Sequence, residues 1–95
     1  MPTLHIQHTI SDFDTWASAF NRFADARSQA GVRAQRVWRP VDDPNYVLID
    51  LDFDSTDEAV AFRRFLDTRV WAVRENAPAL IGSPETMILD TVEME

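Results

Sequence analysis

Four stretches of this chain alternate apolar and polar side chains, Leu4–Ile10, Val32–Arg39, Tyr46–Phe53 and Thr86–Val92, and two stretches with helical spacing lie between them. A period of two marks strands and a period near 3.6 marks helices, so the element order is β-α-β-β-α-β. Few architectures accommodate that order in 95 residues. Two helices pack on one face of a four-stranded antiparallel sheet, an α+β sandwich of the ferredoxin-like kind, in a single domain spanning residues 1–95. The other sheet face is left bare, and a bare face on so small a protein predicts a partner.

In the first strand Leu4, Ile6, His8 and Ile10 share one face, and His5, Gln7 and Thr9 the other. Ser11 or Asp12 caps the following helix, with Asp14 in its first turn favoured by the positive end of the dipole. Trp16, Phe20, Phe23 and Arg27 form the stripe of that helix, and Gly31 ends it, since glycine readily takes the left-handed conformation past a last turn. Asp42-Asp43-Pro44-Asn45 turns the chain between two antiparallel strands, the second carrying Val47, Ile49, Leu51 and Phe53 on its core face. Ser55 or Thr56 caps the second helix, along which Ala59, Phe62, Leu66, Val70 and Val73 recur. Asp67-Thr68 is expected to recap a separate short helix carrying Trp71, and Pro78, Gly82 and Pro84 to mark a loop before the last strand.

The uncovered face mixes Tyr46 and Leu48 with His5, Gln7, Asp50 and Asp52, and is expected to include Ile88 and Val92. It is too mixed for a dry core and too apolar for an ideal solvent face. A second copy packing sheet to sheet covers it, so a homodimer is expected, with a monomer carrying a wet sheet as the alternative.

Nine basic against sixteen acidic residues give a net charge of −7, a field that repels phosphate backbones and anionic lipid, so neither nucleic acid nor a membrane surface is an expected partner. No run approaches the twenty apolar residues of a membrane span, and Met-Pro-Thr-Leu-His lacks the basic start of a secretory signal. Without cysteine there is no disulfide, thiolate nucleophile or zinc–sulfur site, and a cytoplasmic setting is expected.

His8-Thr-Ile-Ser-Asp12-Phe13-Asp14-Thr-Trp16 resembles the opening of small dimeric α/β-barrel proteins related to the antibiotic-biosynthesis monooxygenases. Phe20, Arg27, Gly31-Val32, Asp42-Asp43-Pro44-Asn45, Ala59 with Phe62, and Gly82-Ser-Pro84 follow in matching order across nearly the whole chain. The resemblance implies a homodimeric α/β barrel and, in some relatives, a pocket between helices and sheet in each subunit. Such relatives include cofactor-free oxygenases, polyketide cyclases, lactone isomerases and haem-degrading enzymes. The Asn, Trp and helix-borne His of the haem-degrading kind are not recognisable, since both histidines lie on the first strand. Ala77-Pro78-Ala79-Leu80 also departs from the pattern, standing where similar sequences continue a helix to a glycine.

His8 is the candidate catalytic residue, because a histidine titrates nearest neutral pH and can shuttle a proton from an otherwise apolar strand face. The bland reading is a histidine hydrogen-bonded within the sheet. Trp16, Trp38 and Trp71 are candidate ligand-binding residues, their flat faces and single N–H suiting an aromatic molecule, although aromatics at helical spacing also simply fill cores. No metal site is expected. His5 and His8 point to opposite faces, and same-face carboxylates of Asp50, Asp52 and Asp54 stand roughly 7 Å apart, too far for one small cation. Arg33, Arg36 and Arg39 on the neighbouring strand are their expected partners. Arg63, Arg64, Arg69 and Arg74 read as a solvated helix face, and nothing supports a phosphate loop or a Ser–His–Asp hydrolase.

The leading expectation is a homodimer that binds a small apolar or aromatic molecule between helices and sheet, without a cofactor. The alternatives are a cofactor-independent monooxygenase or polyketide cyclase acting on a phenolic or polyketide-like substrate, and a non-catalytic interaction module.

Overall fold

The computed structural model describes residues 1–94. Its elements are β1 (Thr3–Ile10), α1 (Phe13–Arg22), α2 (Ala24–Gln29), β2 (Ala34–Trp38), β3 (Tyr46–Asp52), α3 (Thr56–Phe65) and β4 (Leu80–Leu89). The four strands form one antiparallel sheet in the order β2-β3-β1-β4, with the helices on one face. This is the ferredoxin-like arrangement expected from the element order.

The alternation in β1 and β3 is realised residue by residue. Leu4, Ile6, His8 and Ile10, with Val47, Ile49, Leu51 and Phe53, are all buried beneath the helices. Burying an apolar side chain of this size stabilises by about 1.5–3 kcal/mol, so these two central strands anchor the core. Ala59, Phe62 and Leu66 close it from α3, with Trp16 from α1.

Local chemistry settles the helix ends. Asp12, not Ser11, caps α1, accepting from the Thr15 amide at 2.9 Å, and Ser55, not Thr56, caps α3, accepting from the Glu58 amide at 3.2 Å. Gly31 ends the first helical region with φ +97°, the left-handed conformation that its lack of a Cβ permits.

Four expectations are corrected. The first helix is split at Phe23, whose φ of −100° and ψ of 15° leave the helical region, giving α1 and α2. Asp67-Thr68 starts no new helix. The chain widens into a π-helical turn over Leu66–Val70, with the Thr68 hydroxyl donating back to the Arg64 carbonyl, and Trp71 follows it directly. Gly82 and Pro84 lie inside β4, not before it. Between the pairs Gln7–Glu85 and Thr9–Ile81 the strand takes in two extra residues, a bulge at which Gly82 has φ +73°. An edge strand tolerates proline at a bulge because its N–H is not needed by the ladder. Ile88 pairs with Leu4 and packs against the core, so β4 presents Ile81, Met87 and Leu89 to the open face instead, and Val92 lies beyond the strand.

The open face carries a continuous polar network. Asp50 accepts from His5 Nδ1 at 2.7 Å and from the Trp38 indole at 3.2 Å. Asp52 accepts from Thr3 at 2.6 Å and from both terminal nitrogens of Arg36 at 2.9 and 3.1 Å. Arg33 pairs with Asp54, whereas Arg39 lies over the Phe13 ring, 4.5 Å from its centroid. Two of the three expected arginine–aspartate pairings therefore form. No helix among the described residues is long and apolar enough to cross a membrane.

Candidate functional site

A cavity of about 70 Å³ lies between the sheet and the helices. Ile6 and His8 of β1 and Ile49 and Leu51 of β3 form its floor. Trp16 and Phe20 of α1, with Phe23 and Arg27 at and after the helix break, form one wall. The opposite wall runs from Phe62 through Val70 and Trp71 to Ala77 and Leu80, much of it irregular backbone.

Two backbone irregularities meet at this space. The π-helical turn brings Leu66 and Val70 to the cavity, and the β4 bulge falls opposite His8, which pairs with Val47 in β3 but has no partner residue in β4. Bulges of both kinds concentrate at functional sites because they re-aim side chains that a regular element would point elsewhere.

His8 is 6% exposed. Its Nδ1 lies 3.1 Å from the Thr9 carbonyl, which can only accept, so Nδ1 carries the proton of the neutral ring. Nε2 is then left with a free lone pair and no protein partner among the described residues. Burial holds the His8 pKa below its ordinary value of 6.5, outweighing the opposing pull of the Thr9 carbonyl. At neutral pH His8 is thus an uncharged proton acceptor in an apolar enclosure.

His5, three residues away, behaves in the opposite sense. Burial alone would lower its pKa, but hydrogen bonds to Asp50 and Gln7, with the Asp50 charge, together raise it. Gln7 donates through Nε2 to Tyr46 and Glu85, so its carbonyl oxygen faces His5 Nε2 at 3.0 Å, and both ring nitrogens of His5 donate. The surroundings of His5 favour its charged form and those of His8 the neutral one. The two lie on opposite sides of the sheet, and among the described residues no three His, Asp or Glu side chains are grouped as a metal site.

The structure brings Trp16 and Trp71 to the cavity with His8, but not Trp38. Trp16 is fixed, stacked on Phe20 at 4.8 Å and tilted against Phe13 at 5.7 Å. Trp71 is half-buried and stacks on no other ring among the described residues. Trp38 lies on the open sheet face, paired across the strands with Leu48.

Arg27 is the site residue that sequence reasoning passed over. It completes the first-helix stripe by spacing, and only its charge among those apolar neighbours marks it out. It is 5% exposed, donates from Nε to Gln35 at 2.9 Å and from Nη1 to the Phe20 carbonyl at 2.6 Å, and lies over the Phe20 ring.

An engineered cavity near 150 Å³ holds benzene, so about 70 Å³ takes a few waters as it stands, and a single ring only if a wall yields. The irregular wall around Trp71 and Ala77 is the one not held by paired strands or regular helix. Packed helices and paired strands on the other sides resist such movement.

No protein-family model matches the sequence, and no curated protein matches it. Solved structures do. A protein of Bordetella bronchiseptica provisionally assigned as an antibiotic biosynthesis monooxygenase superposes with a TM-score of 0.75 at 15% identity, covering 97% of this chain and 98% of its own. SnoaB, a cofactor-independent oxygenase from Streptomyces nogalater, gives 0.69 at 20% identity, with 98% and 94% covered. An uncharacterised NIPSNAP domain protein from Burkholderia xenovorans gives 0.65 at 15% identity, with 97% and 95% covered. The chain has the fold of the antibiotic-biosynthesis-monooxygenase-like proteins over essentially its whole length, and at these identities it is the fold that the likeness shows.

Proposed function

We propose that the protein is a cytoplasmic homodimer, each subunit of which binds a small, mostly apolar aromatic molecule between its helices and sheet. The observation that carries this reading is an aromatic-walled cavity whose floor presents one buried, neutral, singly committed histidine. Size restricts the guest. Ordinary ligand pockets occupy about 300–1,000 Å³, so a monocyclic compound suits this cavity far better than a polycyclic one. A ligand that binds only the folded state raises its stability by RT ln(1 + [L]/Kd). A panel of monocyclic phenols at millimolar concentration is expected to raise the thermal midpoint, with Trp71→Ala altering the ranking. An unchanged midpoint across the panel contradicts the reading.

The free lone pair on His8 Nε2 favours a catalytic second reading, a cofactor-independent oxygenase or cyclase. A phenolic O–H in the cavity would give its proton to Nε2, and exclusion of water by the surrounding rings would sharpen every charge interaction that follows. SnoaB, which shares the fold, is a cofactor-independent oxygenase. Fold likeness supports but does not supply a reaction. Oxygen uptake with a series of monocyclic hydroquinones tests it, and a rate unchanged in His8→Ala removes the proposed base.

The dimer rests on the open face. Trp38, Ile81, Met87 and Leu89 are exposed there around the His5–Asp50 and Arg36–Asp52 network. Asp50 and Asp52 already have partners within the chain, so covering the face strands neither of these two carboxylates.

A further inference from the structure

Arg27 is a cation buried without an anion. It forms no ion pair among the described residues, and both of its protein acceptors, the Gln35 amide and the Phe20 carbonyl, are uncharged. Nη2 has no protein partner among the described residues. No buried side-chain nitrogen or oxygen of the described residues is sealed away unpaired, so Nη2 keeps access to open space. An arginine side chain does not give up its proton to escape burial. Withdrawing such a charge from water carries a high free-energy cost unless an opposite charge meets it. The aromatic face of Phe20 repays part of that cost and leaves the remainder for a ligand.

We infer that the cavity is a receptor for a monocyclic aromatic monoanion, a carboxylate of the benzoate type, whose anionic end pairs with Arg27 while its ring lies among Trp16, Phe20 and Trp71. This rests on the ligand-binding reading above and adds the charge of the ligand to it. The single charge follows from the lining. Among the described residues Arg27 is the one charged side chain lining the cavity, and His8 is neutral, so a monoanion balances the site and a phosphate ester leaves surplus charge. The chain's overall charge of −7 does not forbid it. Charges more than about 8 Å apart are screened at physiological salt, whereas a buried contact pair is not. A planar carboxylate also matches the guanidinium fork, which a phenol or an alcohol does not.

The test is titration of the full chain with benzoate and with benzamide, near-isosteres that differ in charge, at pH 7.5 by calorimetry. Benzoate is expected to bind at least tenfold more tightly, and Arg27→Met to abolish that preference while benzamide binding persists. Equal affinities overturn the anion inference and leave the apolar-ligand reading standing, whereas absence of binding by both overturns the two together. Should Arg27→Met fail to fold, the unaltered protein decides. The benzoate-to-benzamide affinity ratio of the unaltered protein is then the reading, and a ratio of one refutes the proposal.

Discussion

The guanidinium carbon of Arg27 sits 3.7 Å from the centroid of the Phe20 ring, and its Nη1 donates to the carbonyl of that same residue at 2.6 Å. The contact spans the helix break at Phe23. In an unbroken helix the Phe20 carbonyl would accept the amide four residues on. At the break it accepts from the Phe23 amide at 3.2 Å and from Arg27. The same interruption that splits the helix thus gives a buried cation an anchor at the edge of the cavity.

If Arg27 serves a ligand rather than the fold, replacing it with an apolar residue of similar length costs little. Arg27→Met loses hydrogen bonds from a charged group, each worth about 1.5–3 kcal/mol, but also removes a buried charge whose desolvation costs several. The two nearly cancel, and urea unfolding is expected to show a change of less than about 2 kcal/mol. A loss well beyond that makes the arginine a structural strut.

The two histidines predict opposing pH dependences. The folded pKa of His5 is raised, so its contribution is full below the unfolded value near 6.5 and disappears as pH rises through the folded one. That of His8 is lowered, so stability is full above 6.5 and falls as pH drops toward its folded value. Unfolding curves between pH 5 and pH 8 should therefore be flatter for the parent chain than for either variant. His5→Gln is expected to gain stability with rising pH, and His8→Gln to lose it. Two histidines with coincident NMR titration midpoints would contradict the opposite shifts of the two rings.

The open sheet face predicts assembly. Light scattering at micromolar concentration is expected to give twice the chain mass of 10.9 kDa. Leu48→Asp, which adds an unpaired charge beside Trp38, should weaken the dimer, while Arg64→Ala on the exposed side of α3 should not. A mass of one chain for the parent protein excludes the barrel assembly.

The positions of His8, Trp16 and the two central strands were legible in the chain because period-two and period-3.6 alternation act locally. The same alternation placed Trp38 on a strand but not on a face, since its face depends on pairing with Leu48 across a loop whose register no local rule supplies. Gly82 and Pro84 read as loop residues because the bulge that accepts them exists only against β1. The π-helical turn at Leu66–Val70 left no local mark at all. Arg27 was visible at the right spacing, but only its lack of an acidic neighbour in three dimensions distinguishes it from an arginine that reaches solvent.

Intermolecular NOEs between ring protons of benzoate and methyl groups of the protein test the binding cavity most directly. Cross-peaks are expected to Ile6, Val70 and Ala79, which line the space beside His8 from strand, π-helical turn and loop. Cross-peaks confined to the exposed Met87 and Leu89, or none at saturating benzoate, would show that the space between helices and sheet takes no such ligand.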